Sequence, residues 1–165
     1  AGIAGASEVT GLDISEYAVK QATENAKRNN LSDTVKFRVA NVLDELPRLA
    51  ADGEKYDVVI LDPPAFTKSR EATKNAIKGY REINMKGLKL VKDGGFLATC
   101  SCSHFMTQEL LAKTVKEAAR ATHKRLPQVE LRTQGPDHPI LWANSANVPE
   151  SYYLKFFIFQ VVDEK

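Results

Sequence analysis

Long apolar segments and cysteine are two features that this sequence has little of. It contains no run of eighteen or more apolar residues, and its start (AGIAGA) lacks the charged and apolar regions of a secretory signal. We therefore expect no membrane partner and a cytoplasmic location. The chain has 2 cysteines, Cys100 and Cys102, and 3 histidines. Such a small and scattered set predicts neither a disulfide nor a metal site.

An excess of charge of one sign is also absent. The 165 residues include 23 Lys and Arg against 21 Asp and Glu, for a formal net charge of +2. This balance neither demands nor excludes a nucleic-acid partner, so such a partner has to be judged from local patches. With 43% hydrophobic residues, the chain has the size and composition of one compact domain. We therefore predict a single domain over residues 1–165.

Apolar runs and amphipathic segments alternate along the chain. Strands are predicted at residues 9–14, 35–39, 56–61, 96–101, 129–133 and 152–162. Helices are predicted at residues 15–30, 43–51, 71–91 and 107–122, with a turn at Asp93-Gly94-Gly95. The second of these helices is expected to be interrupted early by Pro47. This alternation predicts an α/β fold with a mostly parallel, doubly wound, Rossmann-like sheet. The last two strands have no helix between them, which predicts a C-terminal antiparallel hairpin.

A doubly wound fold is expected to open with a strand and a glycine-rich turn. Residues 1–6 are interpreted as the end of the first helix, so this opening strand and turn are expected to be missing here. Asp13 ends the next strand, where a carboxylate can accept hydrogen bonds from ribose hydroxyls. Asn41 follows the strand after it, where an amide could contact an adenine. The alternatives remain equally open, namely that Asp13 only ends a strand and that Asn41 is only a turn residue.

The segment Asp62-Pro63-Pro64-Ala65-Phe66 is the more specific signal. Two prolines directly after a buried strand force a rigid, extended exit, because each proline fixes its own φ and restricts the residue before it. The Asp62 carboxylate is therefore expected to be held over a pocket. Phe66 could stack on a nucleotide base that has left its helix. The alternative is a rigid turn with a core phenylalanine.

Cys100 and Cys102 come at the end of the next strand and are expected at the same sheet edge. Methylation of cytosine C5 calls for a thiolate that adds to C6, because C5 is itself a poor nucleophile. The alternative is that both cysteines are small buried residues, as free cysteines often are. A basic stretch follows the proline turn and could hold RNA phosphates or simply face solvent: Lys68, Arg70, Lys74, Lys78, Arg81 and Lys86.

Three segments in this order, LDPPAFTKS, LATCSCSHFM and GPDHPIL followed by PESYYLKFFIFQV, resemble the RlmI-type ribosomal large-subunit RNA cytosine-5 methyltransferases. The resemblance covers nearly the whole chain. It implies a class I methyltransferase fold, S-adenosylmethionine (SAM) as methyl donor and ribosomal RNA as partner, while a homodimer stays open. It also implies a larger protein, because the RNA-binding region and glycine-rich loop of the family are absent from this sequence.

The resemblance assigns roles to individual residues. Asp13 and Asn41, with the neighbouring Ile14 and Val42 and with Asp62, would bind the donor. Cys100 would be the nucleophile, Asp62 would hold the base edge, and the role of Cys102 is less secure. The substrate-binding residues would be Pro63, Pro64, Phe66 and Lys68. Two other functions remain open, namely methylation of an exocyclic amino group without a covalent step and RNA binding without catalysis.

Overall fold

The computed structural model of the chain describes residues 1–66, 73–142, 149 and 151–164. The chain divides into two compact units, Ala1–Leu49 and Ala50–Lys165. The predicted single domain stays a prediction. Among the described residues, no helix has both the length and the apolar character needed to cross a membrane.

The first unit consists of two parallel strands and the helices that follow them. After a 3-10 turn at Gly2–Ala4, its elements are β1 (Val9–Asp13), α1 (Glu16–Arg28), β2 (Val35–Val39) and α2 (Val42–Ala51), whose last turn runs past the unit boundary. Strands β1 and β2 pair so that Asp13 lies opposite Val39. The Ser15 hydroxyl accepts a hydrogen bond from the Ala18 amide and so caps α1. Both strands therefore end at the same edge, as predicted.

The second unit contains a four-stranded mixed sheet. Its elements are β3 (Tyr56–Leu61), α3 (Thr73–Leu88), β4 (Val91–Ser101), α4 (Gln108–Ala121), β5 (Lys124–Arg125), β6 (Gln128–Arg132), β7 (Lys155–Gln160) and β8 (Val162–Asp163). The strand order is β3-β4-β7-β6, with β3 and β4 parallel and the other neighbours antiparallel. Short strands β5 and β8 pair separately. The predicted α/β class and the C-terminal antiparallel pair are confirmed.

The core of this unit is built between α3, α4 and β7. The rings of Phe157 and Phe159 stack with centroids 5.4 Å apart, and both face the buried side chains of Tyr80, Leu111 and Val115. Alternate residues of β7 are buried, which is the pattern of a strand with one face against the core. Helices α3 and α4 thus pack against one face of β7.

Three predicted boundaries are wrong. The turn at Asp93-Gly94-Gly95 lies inside β4, because the Gly94 amide and the Gly95 carbonyl both bond to Val161. Pro47 lies within α2 and does not interrupt it. The predicted last strand begins only at Lys155 and is divided between β7 and β8. The first error lies where pairing with Val161 overrides a local turn signal.

Gly95 is a position in β4 where a side chain would meet backbone atoms. An added Cβ would lie 2.8 Å from the carbonyl oxygen of Asp57 and 3.0 Å from that of Lys92. We expect Gly95→Ala to lower the free energy of unfolding by about 1–3 kcal/mol, because backbone atoms must move to make room. Chemical denaturation measures this change.

The control for this prediction is Gly79→Ala in α3. There the added methyl group would lie 3.3 Å from a ring carbon of Phe66, and alanine is the better helix former. We expect a change of less than about 1 kcal/mol, because the two effects oppose each other. A loss in Gly95→Ala as small as the one expected in Gly79→Ala would show that β4 tolerates a side chain at residue 95.

Candidate functional site

The carboxyl ends of β3 and β4 bring the proline turn and the cysteine segment together. The two strands pair in parallel with Leu61 opposite Thr99, so the residues that follow, Asp62 and Cys100, are neighbours. The Cys100 thiol donates to the Asp62 carboxylate, with 3.0 Å between Sγ and Oδ1, and lies 3.6 Å from the Leu61 carbonyl oxygen. The sheet edge therefore joins two residues that are far apart in sequence and were predicted to share a site.

Cys100 is held as a protonated thiol in this arrangement. Its side chain is only 3% exposed. Burial raises the pKa of the Cys100 thiol far above its usual value, and the hydrogen bond to Asp62 and the negative charge of Asp62 raise it further. A thiol in these surroundings serves as a hydrogen-bond donor to the carboxylate, whereas a nucleophile needs the ionised form.

Cys102 has different surroundings, because β4 ends at Ser101 and Cys102 lies beyond it. Its side chain is partly exposed. The residues on both sides are held tightly: the Ser101 hydroxyl donates to the Tyr80 hydroxyl at 2.8 Å and accepts from the Ser103 amide at 3.2 Å. The segment therefore presents Cys102 from a fixed backbone.

Lys155 is a residue of this site that the sequence interpretation missed. It begins β7, lies opposite Ser101 in the sheet and is 1% exposed. Its ammonium group donates to the carbonyl oxygens of Ser103 and Tyr153, at 2.5 and 2.8 Å. Burial lowers the pKa of Lys155 to about 8, whereas the charge of Cys102 has the smaller, opposite effect of raising it. A lysine inside the apolar run YYLKFFIFQV was the available signal.

The proline turn leaves the strand as predicted, with Pro63 buried and both Asp62 and Pro64 exposed. Phe66 is partly buried against α3, where its ring meets the Tyr80 ring edge-on with centroids 4.8 Å apart. This contact fits the alternative of a rigid turn with a core phenylalanine. Base stacking by Phe66 stays a prediction. Lys68 lies outside the described residues.

The basic residues of α3 are divided between solvent and an ion pair. Lys74, Lys78 and Arg81 are exposed, whereas the Lys86 ammonium lies 2.6 Å from the Glu82 carboxylate, one helical turn away. Arg70 belongs to the segment outside the described residues. Three exposed cations on one helix are compatible with phosphate contacts and with a solvated face, as the sequence indicated.

The first unit carries a carboxylate beside an exposed apolar side chain. Asp13 ends β1, and its Oδ1 accepts the Ser15 amide at 2.7 Å, which orients the carboxylate at the strand end. Ile14, directly after it, is 72% exposed. A carboxylate suited to ribose hydroxyls next to an apolar surface suited to an adenine ring fits a nucleoside such as that of SAM.

Val42 is the first residue of α2, and Asn41 directly precedes it. The Asn41 side chain accepts from the Leu43 amide at 3.1 Å and donates to Asp44 at 2.7 Å, so its amide caps the helix. Val42 is half-buried. A contact of Asn41 with an adenine would replace one of these bonds, and this role stays a prediction. Ala40 donates to the Asp13 carbonyl at 2.9 Å, which keeps the two strand ends adjacent.

Known proteins similar to this chain are methyltransferases. The chain is 41% identical over 156 residues to a proposed ribosomal RNA large subunit methyltransferase from Methanocaldococcus jannaschii, covering 94% of this chain and 39% of that protein. It is 36% identical over 159 residues to ribosomal RNA large subunit methyltransferase I from Shewanella frigidimarina, covering 96% and 39%. The chain thus spans about two fifths of the length of these relatives.

A solved structure shows the fold. The crystal structure of SMU.776, described as a proposed methyltransferase complexed with S-adenosylhomocysteine (SAH), matches with a TM-score of 0.71 at 20% identity, covering 93% of this chain and 39% of that one. The fold is therefore the Rossmann-like class I methyltransferase fold that was predicted. A methyltransferase domain family matches residues 3–148. The chain belongs to this methyltransferase domain family, and the resemblance to ribosomal large-subunit RNA methyltransferases noted from its motifs is confirmed.

Proposed function

We propose that this chain is the catalytic domain of a SAM-dependent methyltransferase that acts on ribosomal RNA of the large subunit, and that it methylates C5 of a cytosine. The observation that carries the proposal is that the parallel pairing of β3 with β4 brings the proline turn and the cysteine segment together at one sheet edge. The names of the relatives support ribosomal RNA as the substrate.

The residues of β1 and its exit support SAM as the donor. The oriented Asp13 carboxylate would accept hydrogen bonds from the ribose hydroxyls, and exposed Ile14 would pack against the adenine. Asn41 and Val42 would line the same sheet edge. When bound, the donor supplies the methyl group and leaves as SAH, the molecule in the related SMU.776 structure.

Asp62 is the residue best placed to hold the cytosine. Its carboxylate is exposed but oriented, because the Cys100 thiol occupies one oxygen and the prolines restrain the backbone. A cytosine amino group would donate to the other oxygen. Pro64, exposed beside it, would contact the base.

The sequence interpretation assigns the covalent step to Cys100. Cys102 suits this step better. Cys100 is buried and kept protonated by its surroundings, whereas Cys102 is partly exposed and lies near a buried cation. In the proposed step, the Cys102 thiolate forms a bond to C6, and C5 takes the methyl group. Loss of the C5 proton to a base then expels the thiolate.

A methyltransferase that acts on an exocyclic amino group is the second candidate. It is favoured by the protonated, carboxylate-bound state of Cys100, because a thiol used only as a hydrogen-bond donor leaves no covalent role for that residue. The acidic turn would then orient the amino group for direct transfer. A domain that only binds RNA is the third alternative.

Donor binding tests the first unit. In the full protein, we expect Asp13→Ala to weaken SAM binding about ten- to hundredfold, because hydrogen bonds to a charged group contribute about 1.5–3 kcal/mol. Calorimetric titration measures the Kd. Asp33→Ala, which removes another exposed carboxylate of the same unit, is the control and should bind normally. An unchanged Kd in Asp13→Ala would remove this residue from the donor site.

The identity of the product tests the reaction. The full protein is incubated with SAM and unmodified large-subunit ribosomal RNA, and the RNA is digested to nucleosides for mass spectrometry. We expect 5-methylcytidine. A nucleoside methylated on its amino group would replace the proposal by the second candidate, and RNA binding without any methylated product would favour the third.

A mechanism-based trap tests the covalent step. With SAM and ribosomal RNA transcribed with 5-fluorocytidine, we expect a denaturant-stable protein–RNA adduct, because fluorine at C5 cannot leave as the proton does. Denaturing gel electrophoresis detects the adduct. Cys102→Ser should abolish it, since a hydroxyl is a much weaker nucleophile than a thiolate.

Cys100→Ser is the matched variant in this experiment, because it alters the neighbouring thiol by the same single atom. It should still form adduct. If adduct is instead lost in Cys100→Ser and kept in Cys102→Ser, the nucleophile is Cys100. If both variants form adduct, neither thiol is the nucleophile.

A further inference from the structure

Lys155 is the most deeply buried charged group among the residues that the structure describes in the second unit. Only 1% of the residue is exposed, although a buried ammonium group is costly unless other groups compensate for its lost hydration. A methionine or leucine would fill the same space next to the apolar residues 156–159 of the strand. The retention of a charge here therefore needs a specific reason.

The contacts of Lys155 all lie around the end of β4. Its ammonium group donates to the carbonyl oxygen of Ser103, the residue directly after Cys102, and to that of Tyr153. It also lies 5.8 Å from the centre of the Tyr152 ring, a distance typical of a cation–π contact. These contacts tie the backbone of the Cys102 segment to the start of β7.

The charge of Lys155 also acts on Cys102 itself. The Cys102 thiolate raises the pKa of Lys155, in opposition to the larger effect of burial. Lys155 pairs opposite Ser101 and donates to the Ser103 carbonyl, so its charge is held beside the residue between them, and a neighbouring cation favours the thiolate form of a cysteine. A neutral donor could satisfy the two carbonyl groups but could not have this effect.

Other titratable groups among the described residues also lie around this segment. Asp62, after β3, bonds to Cys100 and raises the pKa of that thiol. Tyr80 of α3 bonds to Ser101 and is protonated, because burial raises its pKa. Burial also raises the pKa of Tyr152, which feels the charge of Glu109 of α4. An anion thus adjoins Cys100, and a cation acts on Cys102.

We propose that Lys155 is a positioning residue for Cys102: its buried ammonium group fixes the backbone after β4 through the Ser103 carbonyl and favours the ionised, reactive thiol. The meaning of this role for catalysis rests on the function proposed above. The effect on the thiol itself needs neither RNA nor SAM. It can therefore be measured separately.

The test follows alkylation of Cys102 by iodoacetamide in the full protein from pH 5 to pH 10, with peptide mass spectrometry to locate the label. Lys155→Met keeps the length of the side chain but removes its charge. We expect its alkylation rate at pH 7 to fall about tenfold and its pH profile to move about one unit upward, since one unit corresponds to a factor of ten. Lys155→Arg should retain most of the rate.

Lys124→Met is the matched control, because Lys124 is another largely buried lysine of the same unit, paired with Asp163 of β8. Its Cys102 profile should match the wild type. An unchanged pH profile of Cys102 alkylation in a folded Lys155→Met protein would overturn the proposal. Lys155 would then only hold two backbone segments together.

A second measurement covers the case in which Lys155→Met does not fold. Removal of the thiolate in Cys102→Ser should lower the pKa of Lys155 below its wild-type value of about 8, as followed by NMR of the lysine side chain. An unchanged lysine pKa would show that the two charges do not interact. Formation of 5-methylcytidine tests the proposed function by itself, so either idea can fail while the other stands.

Discussion

The parallel pairing of β3 with β4 is the constraint on which the candidate site depends. With Leu61 opposite Thr99, both strands end at the same level, and the residues that follow, Asp62 and Cys100, are close enough for a hydrogen bond. A shift of the register by one residue would turn the side chains of β4 to the opposite face. The pairing is in turn held by the packing of α3 and α4 against the sheet, and by Gly95, whose hydrogen atom leaves room for the carbonyl of Asp57.

Two thiols only two residues apart have opposite electrostatic surroundings at this edge. Cys100 is buried next to a carboxylate, which keeps its proton in place and uses the thiol to orient Asp62. Cys102 lies past the end of the strand, partly exposed and coupled to a buried ammonium group. Cys100 is the last but one residue of β4, whereas Cys102 follows the strand and is more exposed than its neighbours Ser101 and Ser103. Such a division allows one cysteine to serve as a structural donor and the other to react.

Much of the fold could be predicted from the sequence because its signals are local. The run YDVVIL marks β3, the two prolines mark its rigid exit, and Ser15 and Thr107 stand at the N-caps of α1 and α4. The turn at Asp93-Gly94-Gly95 was mispredicted for the same reason. Its glycines signal a turn locally, but their hydrogen bonds to Val161 come from the far end of the chain.

The sequence by itself determined the α/β class, the methyltransferase family and the segments from which the site is built, because strand and helix periods, proline turns and short motifs are properties of neighbouring residues. Only the tertiary structure decided which cysteine is buried, that Phe66 packs on Tyr80, and that Lys155 bonds to the backbone next to Cys102. Those facts depend on strand register and on antiparallel pairing between β4 and β7, which joins residues more than fifty positions apart. Burial and charge coupling arise from such long-range contacts, and no local pattern of residues encodes them.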